Sequence, residues 1–550
     1  MLQRRVRVCL FALTLVMAGP ISVDAESLSE SLALAYENNP TLRAARARLR
    51  ATNERVPQEL SNWRPQVTVD GSIGRQKIDD EDRFSVTDQV TTPKSGTLQI
   101  RQPVYRGGQT LAGVDRAEQE VQAERARLGG AERDVLRRGM QAYLNVWRDR
   151  EILRLNQENV AALRKQSRGA EQRFERGVAT RTDVAQAATR VSRARARVEV
   201  TRGQLTTSRA VYEEVVGQAP GDLTLPDMTP GLPESQQDAE ALARANNPDV
   251  RAAVFASRAA DRQVRQTTGQ LLPTLTLNGQ LSREEETFRR SDETDRAQVQ
   301  LNLRVPLYQA GQVTSQVRQA KQTASQRRLE VAEARRRAKQ EARSAWGDLE
   351  SAREQIAERR TQVESARIAV QGMEEELAVG SRTVIDVLDA EQDLFNAQIG
   401  LVRAQRDLDV ARFAVLAAVG RLTARNLDLD VPLYDAERAF DAVRDLWFGM
   451  GAPEGDAGAE IGTDPGESGI TSGSGGGTDL NVEAGLSREE RTEMESLLDR
   501  LDFDPGPIDG TLDGQTRDAM VRFQRMAGLA VTEDPTPSLL TELRAVAGAL

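Results

Sequence analysis

The side chains available for chemistry are few in kind. The 550-residue chain has no histidine, and its one cysteine is Cys9, close to the N-terminus. Histidine-based catalytic triads and histidine-ligated metal sites are therefore excluded, and only Cys9 could serve as a thiol nucleophile. Serine, lysine and carboxylate chemistry remains formally possible, but no motif supports an enzyme of those kinds. The sequence predicts a protein without catalytic residues, cofactor or bound metal.

One pair of carboxylates differs from the other acidic residues. Asp386 and Asp389 are three residues apart, which places them one turn apart on the same face of a helix. Asp386 completes a capping box with Thr383, so a structural role alone would explain it. Asp389 lies beyond that cap and has no such explanation. This pair, with the neighbouring Arg382, is the candidate functional cluster.

Bulk composition favours long solvated helices over one large packed core. Hydrophobic residues are 39% of the chain, aromatic residues 4% and charged residues 29%. With a net charge of −9, the chain lacks the excess of basic residues that is typical of a nucleic-acid-binding protein.

Residues 1–25 are predicted to be a secretory signal peptide. Three arginines precede an apolar stretch from Val8 to Ala18, and Val23-Asp24-Ala25 is a suitable cleavage site before Glu26. An apolar stretch of about eleven residues is too short to span a bilayer, which needs roughly 20. Cleavage would remove Cys9.

The main body of the chain is an internal duplication. Asn38-Asn39-Pro40 recurs as Asn246-Asn247-Pro248 at an offset of 208, and Pro103-Val104-Tyr105 recurs as Pro306-Leu307-Tyr308 at an offset of 203. The offset of 203 then holds through Gly177 and Gly380 and on to Gly217 and Gly420. Repeat 1 is about 27–220 and repeat 2 about 236–433. At this offset Asp389 corresponds to Gln186, and Arg382 to Ala179, so the candidate cluster belongs to the second repeat alone.

Each repeat contains one long helical hairpin. The stretches from Pro103 to Pro220 and from Pro306 to Pro432 contain no internal proline and are rich in strong helix formers. Gly177 and Gly380 interrupt these stretches, and each is followed by a Thr-x-x-Asp capping box. The return arm is only half as long as the first arm, so a preceding short helix is expected to stack end to end on it. The predicted helices are about 27–62, 104–175 and 181–217 in repeat 1, and about 236–270, 307–378 and 384–420 in repeat 2.

Two strands per repeat are predicted between the short helix and the long arm. Apolar and polar residues alternate over Gln66–Gly74, Thr97–Gln102, Thr274–Leu281 and Gln298–Val305. An ordinary two-stranded hairpin on a soluble surface is one interpretation. The other is a membrane sheet with one apolar face and one wet face. Four strands cannot close a membrane barrel, which needs about eight, but three chains would supply twelve.

Residues 26–450 resemble the TolC-type outer-membrane efflux and secretion channel family. The residues that carry the resemblance are the paired Asn-Asn-Pro motifs, the P-[VL]-Y-x-[GA]-G-Q starts of both long arms, and GSRTVIDVLDAEQDLFNAQ at 380–398. The resemblance implies a mainly α fold with a membrane β-barrel contribution, formed as a homotrimeric α/β barrel. It also implies an exit duct in outer-membrane lipid of a Gram-negative bacterium that extends through the periplasm. Its partners would be a periplasmic adaptor and an inner-membrane transporter, and its cargo a protein, a drug or a metal ion.

The resemblance also assigns a role to the candidate cluster. It implies that Asp386 and Asp389 line the constricted periplasmic mouth, where three chains would form carboxylate rings that favour cations and raise one another's pKa. It implies that Arg382 ties the tip closed against Thr182 and Asp183 of a neighbouring hairpin. Leu377 departs from the tyrosine that relatives place in this latch.

The C-terminal end is a separate addition. Residues 451–485 are rich in Gly, Ser and acidic residues, which predicts a flexible linker. The sequence of residues 486–550 predicts a small all-α domain with helices near 487–501, 514–527 and 536–547. With Asp504-Pro505-Gly506-Pro507-Ile508-Asp509-Gly510, Thr516, Phe523-Gln524, Gly528-Leu529 and Val531-Thr532, this segment resembles the three-helix peptidoglycan-binding domain family. The resemblance implies a peptidoglycan anchor with candidate binding residues Asp504, Gly506, Asp509, Gly510 and Gln524.

Two other functions remain open from the sequence. A periplasmic adaptor is also built on a long hairpin, but it has one hairpin flanked by split lipoyl-like segments. A structural coiled-coil tether between outer membrane and cell wall would need the helices but no pore.

Overall fold

The computed structural model describes residues 26–82, 85–225, 231–285, 293–449, 451, 488–509, 511–527 and 537–548. The chain divides into two compact units, residues 1–456 and 457–550. The predicted signal peptide, all but the first residue of the predicted linker, and Gly510 lie outside the described residues.

The first unit consists of two helical hairpins, each preceded by short helices. In repeat 1 these are α1 Leu28–Asn38, α2 Pro40–Asn53, α3 Arg55–Leu60, α4 Gln109–Glu175 and α5 Arg181–Val216. In repeat 2 they are α6 Gln236–Asn246, α7 Pro248–Thr268, α8 Gln312–Ala378 and α9 Val384–Ala418, followed by α10 Ala436–Arg444. The long arms α4 and α8 have 67 residues each. At about 1.5 Å per residue, each arm is roughly 100 Å long.

Both long arms begin five residues later than predicted. Gly108 and Gly311 precede the arms with left-handed backbone, at φ of +74° and +79°. Residues other than glycine rarely adopt this backbone conformation, so the two glycines determine where each helix begins. In repeat 1, the residues from Val104 to Arg106 instead continue a strand.

The repeated Asn-Pro motifs join the short helices to the return arms. Asn39 and Asn247 cap the helices that follow them, accepting from the N–H groups of Thr41 at 3.0 Å and Asp249 at 2.9 Å. Their side-chain amides donate in the other direction, to the carbonyl of Val215 at 2.9 Å and of Ala418 at 3.2 Å. One side chain therefore links the start of one helix to the end of another, and the predicted end-to-end stacking has this joint at its centre.

The largest apolar core lies around this joint. It packs α1, α2, the middle of α4 and the ends of both return arms, and its fully buried members include Leu32, Leu136, Tyr143, Tyr212 and Phe413. The Tyr143 hydroxyl lies 2.9 Å from the carbonyl oxygen of Glu26 and 2.8 Å from that of Thr224, and can donate its one hydrogen to either. Because this core combines residues of repeat 1 with Phe413 of repeat 2, the two repeats share one core around the joint.

The strands form one four-stranded antiparallel sheet and a separate hairpin. The strands are β1 Gln66–Ile73, β2 Gln76–Asp82, β3 Ser85–Thr91, β4 Lys94–Arg106, β5 Thr274–Glu285 and β6 Glu293–Arg304. The sheet order is β1-β4-β5-β6, and β2 pairs with β3 in a sheet of its own. The four predicted strands are confirmed, but the prediction placed a polar loop where β2 and β3 lie. That stretch lacks regular apolar alternation, and backbone pairing between Gln76–Asp82 and Ser85–Thr91 holds it instead.

Among the described residues, no helix is both long enough and apolar enough to cross a membrane.

The described part of the second unit contains three helices, as predicted, at α11 Arg488–Arg500, α12 Gly514–Met526 and α13 Pro537–Gly548. Its core consists of Met494, Leu498, Ala519, Met520, Phe523, Leu539, Leu540 and Leu543. Phe503 packs edge-on against Phe523, with ring centroids 5.6 Å apart.

Candidate functional sites: the strand sheet and the hairpin tip

The register of the four-stranded sheet separates apolar from polar residues. One cross-strand row contains Val69, Leu98, Leu281 and Ala297, and the next contains Val67, Ile100, Gly279 and Val299. The rows that alternate with them are polar. They contain Thr68, Gln99, Gln280 and Gln298 in one case, and Asp70, Thr97, Ser282 and Arg296 in another. Because side chains alternate between the faces of a strand, one face of the sheet is apolar and the other is polar.

The apolar face is exposed in the single chain. Val69 is 78% exposed and Val299 77%, although both are β-branched apolar residues on strands. Among the described residues, β1 and β6 each pair on one side only, so each end of the sheet has an open edge. Such edges are templates for pairing with another chain, and such a face fits lipid better than water.

The tips of the two hairpins are built alike. At the first tip, the N–H of Val178 donates to the carbonyl of Arg173 at 3.0 Å, and at the second, Ser381 donates to Glu376 at 3.0 Å. Gly177 and Gly380 take the left-handed conformation between them, at φ of +75° and +82°. This is the glycine-terminated helix end that the sequence predicted.

Both predicted capping boxes are present. The Asp183 carboxylate accepts from the backbone N–H of Thr180 at 2.9 Å, and Asp386 accepts from Thr383 at the same distance. Hydrogen bonds from the backbone and the hydroxyl of Thr383 hold the pKa of Asp386 below its ordinary value, and the nearby charge of Arg382 acts in the same direction. In the single chain, Asp386 is therefore an ionised cap, whereas the predicted carboxylate ring would raise its pKa.

Arg382 pairs within its own hairpin. Its Nε donates to Glu376 Oε2 at 2.7 Å, and both side chains are about half exposed. Within the described residues, Arg382 makes no hydrogen bond to Thr182 or Asp183. The Asp183 carboxylate instead accepts from the backbone N–H and the hydroxyl of Thr180. Leu377 packs against the apolar cluster at the tip instead of taking part in a polar latch.

Asp389 has a partner from the other repeat. Arg190 of α5 donates through Nη2 to Asp389 Oδ1 at 2.5 Å and through Nη1 to the carbonyl of Leu388 at 3.2 Å. The sequence analysis identified Asp389 as unexplained but did not identify Arg190. Comparison of the repeats could have identified Arg190. Its equivalent in the second repeat is Asp393, so the charge at this position changes sign between the repeats.

A second polar contact joins the repeats one helical turn or less from Asp389. Gln166 of α4 donates to Glu391 Oε1 at 2.9 Å, and the other oxygen, Oε2, is buried without a hydrogen-bond partner in the described chain. Burial raises the pKa of Glu391, and the charge of Glu374 raises it further. Lys165 and Arg190 act in the opposite direction.

An apolar cluster lies beside these polar contacts. It joins both arms of the first hairpin to the start of α9, and consists of Val160, Leu163, Ala170, Ala187, Val191, Ala194, Val198, Val384 and Leu388. The second hairpin therefore packs against the first near the tip through α9.

The candidate residues of the small C-terminal unit lie in different environments. Asp504 and Asp509 are exposed, and Asp509 accepts from the N–H of Thr511 at 2.8 Å. Gly506 has a φ of +83°, and a side chain there would meet Gln515. Gln524 is 2% exposed, so its side chain lies in the interior and is not part of a binding surface. The exposed candidates are thus Asp504 and Asp509.

Two family models match the chain. The model described as "Outer membrane efflux protein" matches residues 32–218 and 241–421, that is, both repeats with their short helices, strands and hairpins. The chain belongs to the outer membrane efflux protein family. The model described as "Putative peptidoglycan binding domain" matches residues 487–543, the three-helix unit.

Individual relatives agree with this membership. The chain is 37% identical over 452 residues to outer membrane efflux protein BepC of Brucella suis, covering 81% of this chain and 97% of that protein. It is 25% identical over 453 residues to the alkaline protease secretion protein AprF of Pseudomonas aeruginosa, covering 78% and 91%. Among solved structures, the outer-membrane channel OprN aligns with a TM-score of 0.64 at 21% identity, covering 72% of this chain and 91% of that chain. VceC of Vibrio cholerae aligns with a TM-score of 0.63 at 20% identity, covering 72% and 96%.

Membership fixes the class and location of this efflux protein. It is an outer-membrane efflux channel of a Gram-negative bacterium that extends into the periplasm, and it is not an enzyme. The similarity to channels of this family over both repeats favours the channel over the periplasmic adaptor.

Proposed function

We propose that three copies of this chain form the outer-membrane exit duct of a tripartite efflux pump or type I secretion system. The observation that carries the proposal is the four-stranded sheet with two open edges, one apolar face and one polar face. Three such sheets joined edge to edge would give twelve strands, enough for a closed barrel with the apolar face towards lipid. The same closure would place the polar face around a water-filled passage.

The hairpins would continue this passage across the periplasm. Arms of roughly 100 Å reach far beyond the thickness of a bilayer. Their tips would meet a periplasmic adaptor and an inner-membrane transporter. At the mouth, Asp386 and Asp389 would present carboxylates from each chain, and Arg382, Thr182 and Asp183 are the candidates for contacts that close it.

The cargo is not specified by this architecture. BepC is named as an efflux protein and AprF as a protease secretion protein, and the chain resembles both along nearly their whole length. The proposal therefore covers small molecules and proteins alike.

The test is ion conductance of the purified, detergent-solubilised protein in planar bilayers, with native mass measurement of the same sample. We expect a mass of three chains and discrete conductance steps. A structural tether would give neither a continuous pore nor steps, so a stable non-conducting protein would contradict the duct.

A matched pair of substitutions tests which face of the sheet meets lipid. Val299 and Gln298 are adjacent on β6 and lie on opposite faces. Val299→Lys should block membrane insertion, because a lysine at the lipid-facing midplane costs about 2–4 kcal/mol. Gln298→Lys should insert normally and alter only ion selectivity. If both variants insert equally well, the apolar face does not contact lipid.

We further propose that the C-terminal unit anchors the duct to peptidoglycan. The support is the family match over residues 487–543 and a packed core of its own. Asp504 and Asp509 are the exposed candidates for contact with the wall polymer.

A further inference from the structure

The packing of repeat 1 on repeat 2 is a template for the packing of one chain on the next. Inside the chain, β4 pairs with β5 and α4 packs on α7, while β1 and β6 are the open edges of the sheet. By the duplication, β6 and α8 are the equivalents of β4 and α4, and β1 with α2 and α3 are the equivalents of β5 and α7. The internal seam, α4 against α7, therefore corresponds to a shared seam, α8 against α2 and α3 of the next chain.

The strand register supports this template. Leu98 lies opposite Leu281 where the two repeats join, on the apolar face of the sheet. The repeat offsets of 203 and 208 convert this pair into Leu301 opposite Ile73 of the next chain. Both residues belong to the apolar face, and they are 62% and 74% exposed in the single chain. Joining β6 to β1 in this register therefore keeps the apolar face continuous from chain to chain.

An ion pair of the internal seam has its two charges exchanged at the shared seam. Arg262 Nε of α7 lies 3.6 Å from Asp115 Oδ2 of α4. The equivalent of Asp115 is Arg318 on α8, and the equivalent of Arg262 is Glu54 between α2 and α3. Acid and base change places, so opposite charges still meet. In the described part of the single chain, Arg318 is exposed, Glu54 is half-buried, and neither has an ion-pair partner.

We propose that Arg318 of one chain pairs with Glu54 of the next and that this exchange of charges specifies which helices meet at each seam. The inference rests on the proposed three-chain duct. If α4 met α2 and α3 of another chain, Asp115 would face Glu54. If α8 met α7 of another chain, Arg318 would face Arg262. Both mistakes bring like charges together, so each seam attracts its own partner and repels the other.

The greater length of the exchanged pair suits the shared seam. At the internal seam, Gly107 and Gly269 lie so close that a Cβ atom on either would collide with the backbone of the other. Their equivalents are Ala310 and Ser61, which carry side chains, so the shared seam must be wider near the start of the long arms. The exchanged pair is one methylene longer than the internal pair, because glutamate takes the place of aspartate. The additional length lets it span the wider gap.

A second ion pair of the internal seam supplies a matched control. Arg133 of α4 donates to Asp249 of α7 at 2.9 Å. The equivalents are Arg336 on α8 and Thr41 on α2, and threonine carries no charge, so this ion pair has no counterpart at the shared seam. Arg336 is exposed on the same helix as Arg318. Reversing the charge of Arg336 should therefore have little effect on the contact between chains.

Cross-linking of the full-length protein, with Cys9→Ser as background, tests the contact directly. The paired change Arg318→Cys and Glu54→Cys, treated with a short bifunctional thiol reagent, should give covalent dimers and trimers in denaturing electrophoresis. The internal pair, Asp115→Cys with Arg262→Cys, should cross-link within the chain and remain at the mass of one chain. The mismatched pair, Asp115→Cys with Glu54→Cys, should give no product between chains.

Charge reversal measures what the contact contributes. Arg318→Glu should weaken the trimer, followed by native mass measurement over a dilution series in mild detergent. An exposed ion pair changes an equilibrium constant by roughly 1.5- to 5-fold, so its loss at three seams should raise the dissociation constant roughly 3- to 100-fold. Arg336→Glu should leave the constant unchanged. Arg318→Glu combined with Glu54→Arg restores opposite charges and should return the constant towards that of the parent.

The outcomes separate this contact from the duct. A trimeric parent whose Arg318→Cys and Glu54→Cys variant gives no product between chains would overturn the pairing and leave the duct intact. Equal dissociation constants for Arg318→Glu and Arg336→Glu would overturn it as well. A parent protein that is not a trimer would instead overturn the duct.

Discussion

At the scale of single residues, the acidic side chains of the tip differ because each has a different partner. Asp386 accepts hydrogen bonds from its own helix cap, and Asp389 pairs with an arginine of the other repeat. Glu391 is partly buried with one oxygen unpaired. The same functional group is therefore held as an anion by its helix cap in one position, paired with a cation in the second, and shifted towards its protonated form in the third.

Arg382 provides the first prediction at this scale. If it acts by holding Glu376 and stiffening its own tip, Arg382→Ser and Glu376→Gln should change single-channel conductance equally. If it acts as the latch that the family resemblance implies, Arg382→Ser should raise conductance and Glu376→Gln should not. The comparison works because the two side chains are one ion pair in the single chain, 2.7 Å apart. Unchanged conductance in both variants would remove Arg382 from the gate.

Glu391 gives a prediction for pH. Its folded-state pKa is raised above the ordinary value of 4.5, chiefly by burial. Between these two values the folded state binds more protons than the unfolded state, so this residue makes stability fall as pH rises through that window. Glu391→Gln should weaken that pH dependence and raise the melting temperature slightly at pH 7–8, measured by circular dichroism. The exposed Asp393→Asn on the same helix is the control. If Glu391→Gln lowers the melting temperature at neutral pH, the buried carboxylate is stabilising as an anion and the prediction is wrong.

The residue-level features that could be predicted from the sequence are the local ones. Capping boxes and glycine-terminated helix ends depend on residues within five positions of each other. They could therefore be predicted from Thr180, Thr383, Gly177 and Gly380. The pairing of Arg190 with Asp389 depends on how two hairpins pack, at a separation of 199 residues. Only the comparison of the repeats, in which these two positions break the symmetry, points to it.

At the scale of elements, the joint between stacked helices rests on one amide side chain in each repeat. An amide can accept a hydrogen bond and donate one at the same time, and Asn39 does both across the gap between α2 and α5. Aspartate is an equally good helix cap, but an ionised carboxylate cannot donate. The requirement for a donor explains why asparagine, and not aspartate, occupies this position in both repeats.

Asn39→Asp tests this joint directly. The substitution keeps the cap to Thr41 but leaves the Val215 carbonyl without its donor and opposite a carboxylate. Asn39 is 5% exposed, so the loss should cost about 1–3 kcal/mol. It would appear as a lower midpoint of thermal unfolding followed by circular dichroism. Asn38→Asp, at the exposed neighbouring position, is the matched control. Equal midpoints for the two variants would show that the amide donor contributes nothing.

The elements predicted from periodicity were found where the pattern was strong. The long arms, the return arms and the four sheet strands all follow continuous helical or alternating patterns. The pair β2 and β3 was not predicted, because its sequence IDDEDRFSVTDQ is mostly polar and regular apolar alternation was the only criterion for a strand. The extension of β4 through Val104 to Arg106 was also not predicted, since it depends on pairing with β5 across the repeats.

At the scale of the whole molecule, duplication explains most of the architecture of the first unit. The repeats place their strands side by side in one sheet, because β4 of the first repeat pairs with β5 of the second. They also place two nearly equivalent hairpins next to each other, and a few unmatched charges at the tips distinguish the first hairpin from the second. The C-terminal unit is outside this duplication and has its own core.

The final prediction is that the C-terminal unit is separable from transport. Deleting residues 486–550 removes none of the strands of the sheet and none of the hairpin helices. A linker of about 35 residues with this composition has a root-mean-square reach on the order of 30 Å, so the anchor can bind the wall without constraining the tunnel. The truncated protein should no longer co-sediment with purified peptidoglycan, while native mass and conductance should remain those of the parent. The paired change of Asp504→Asn and Asp509→Asn in the full-length chain should weaken sedimentation if those exposed carboxylates contact the polymer. Undiminished sedimentation of the truncated protein would place the wall contact elsewhere on the molecule.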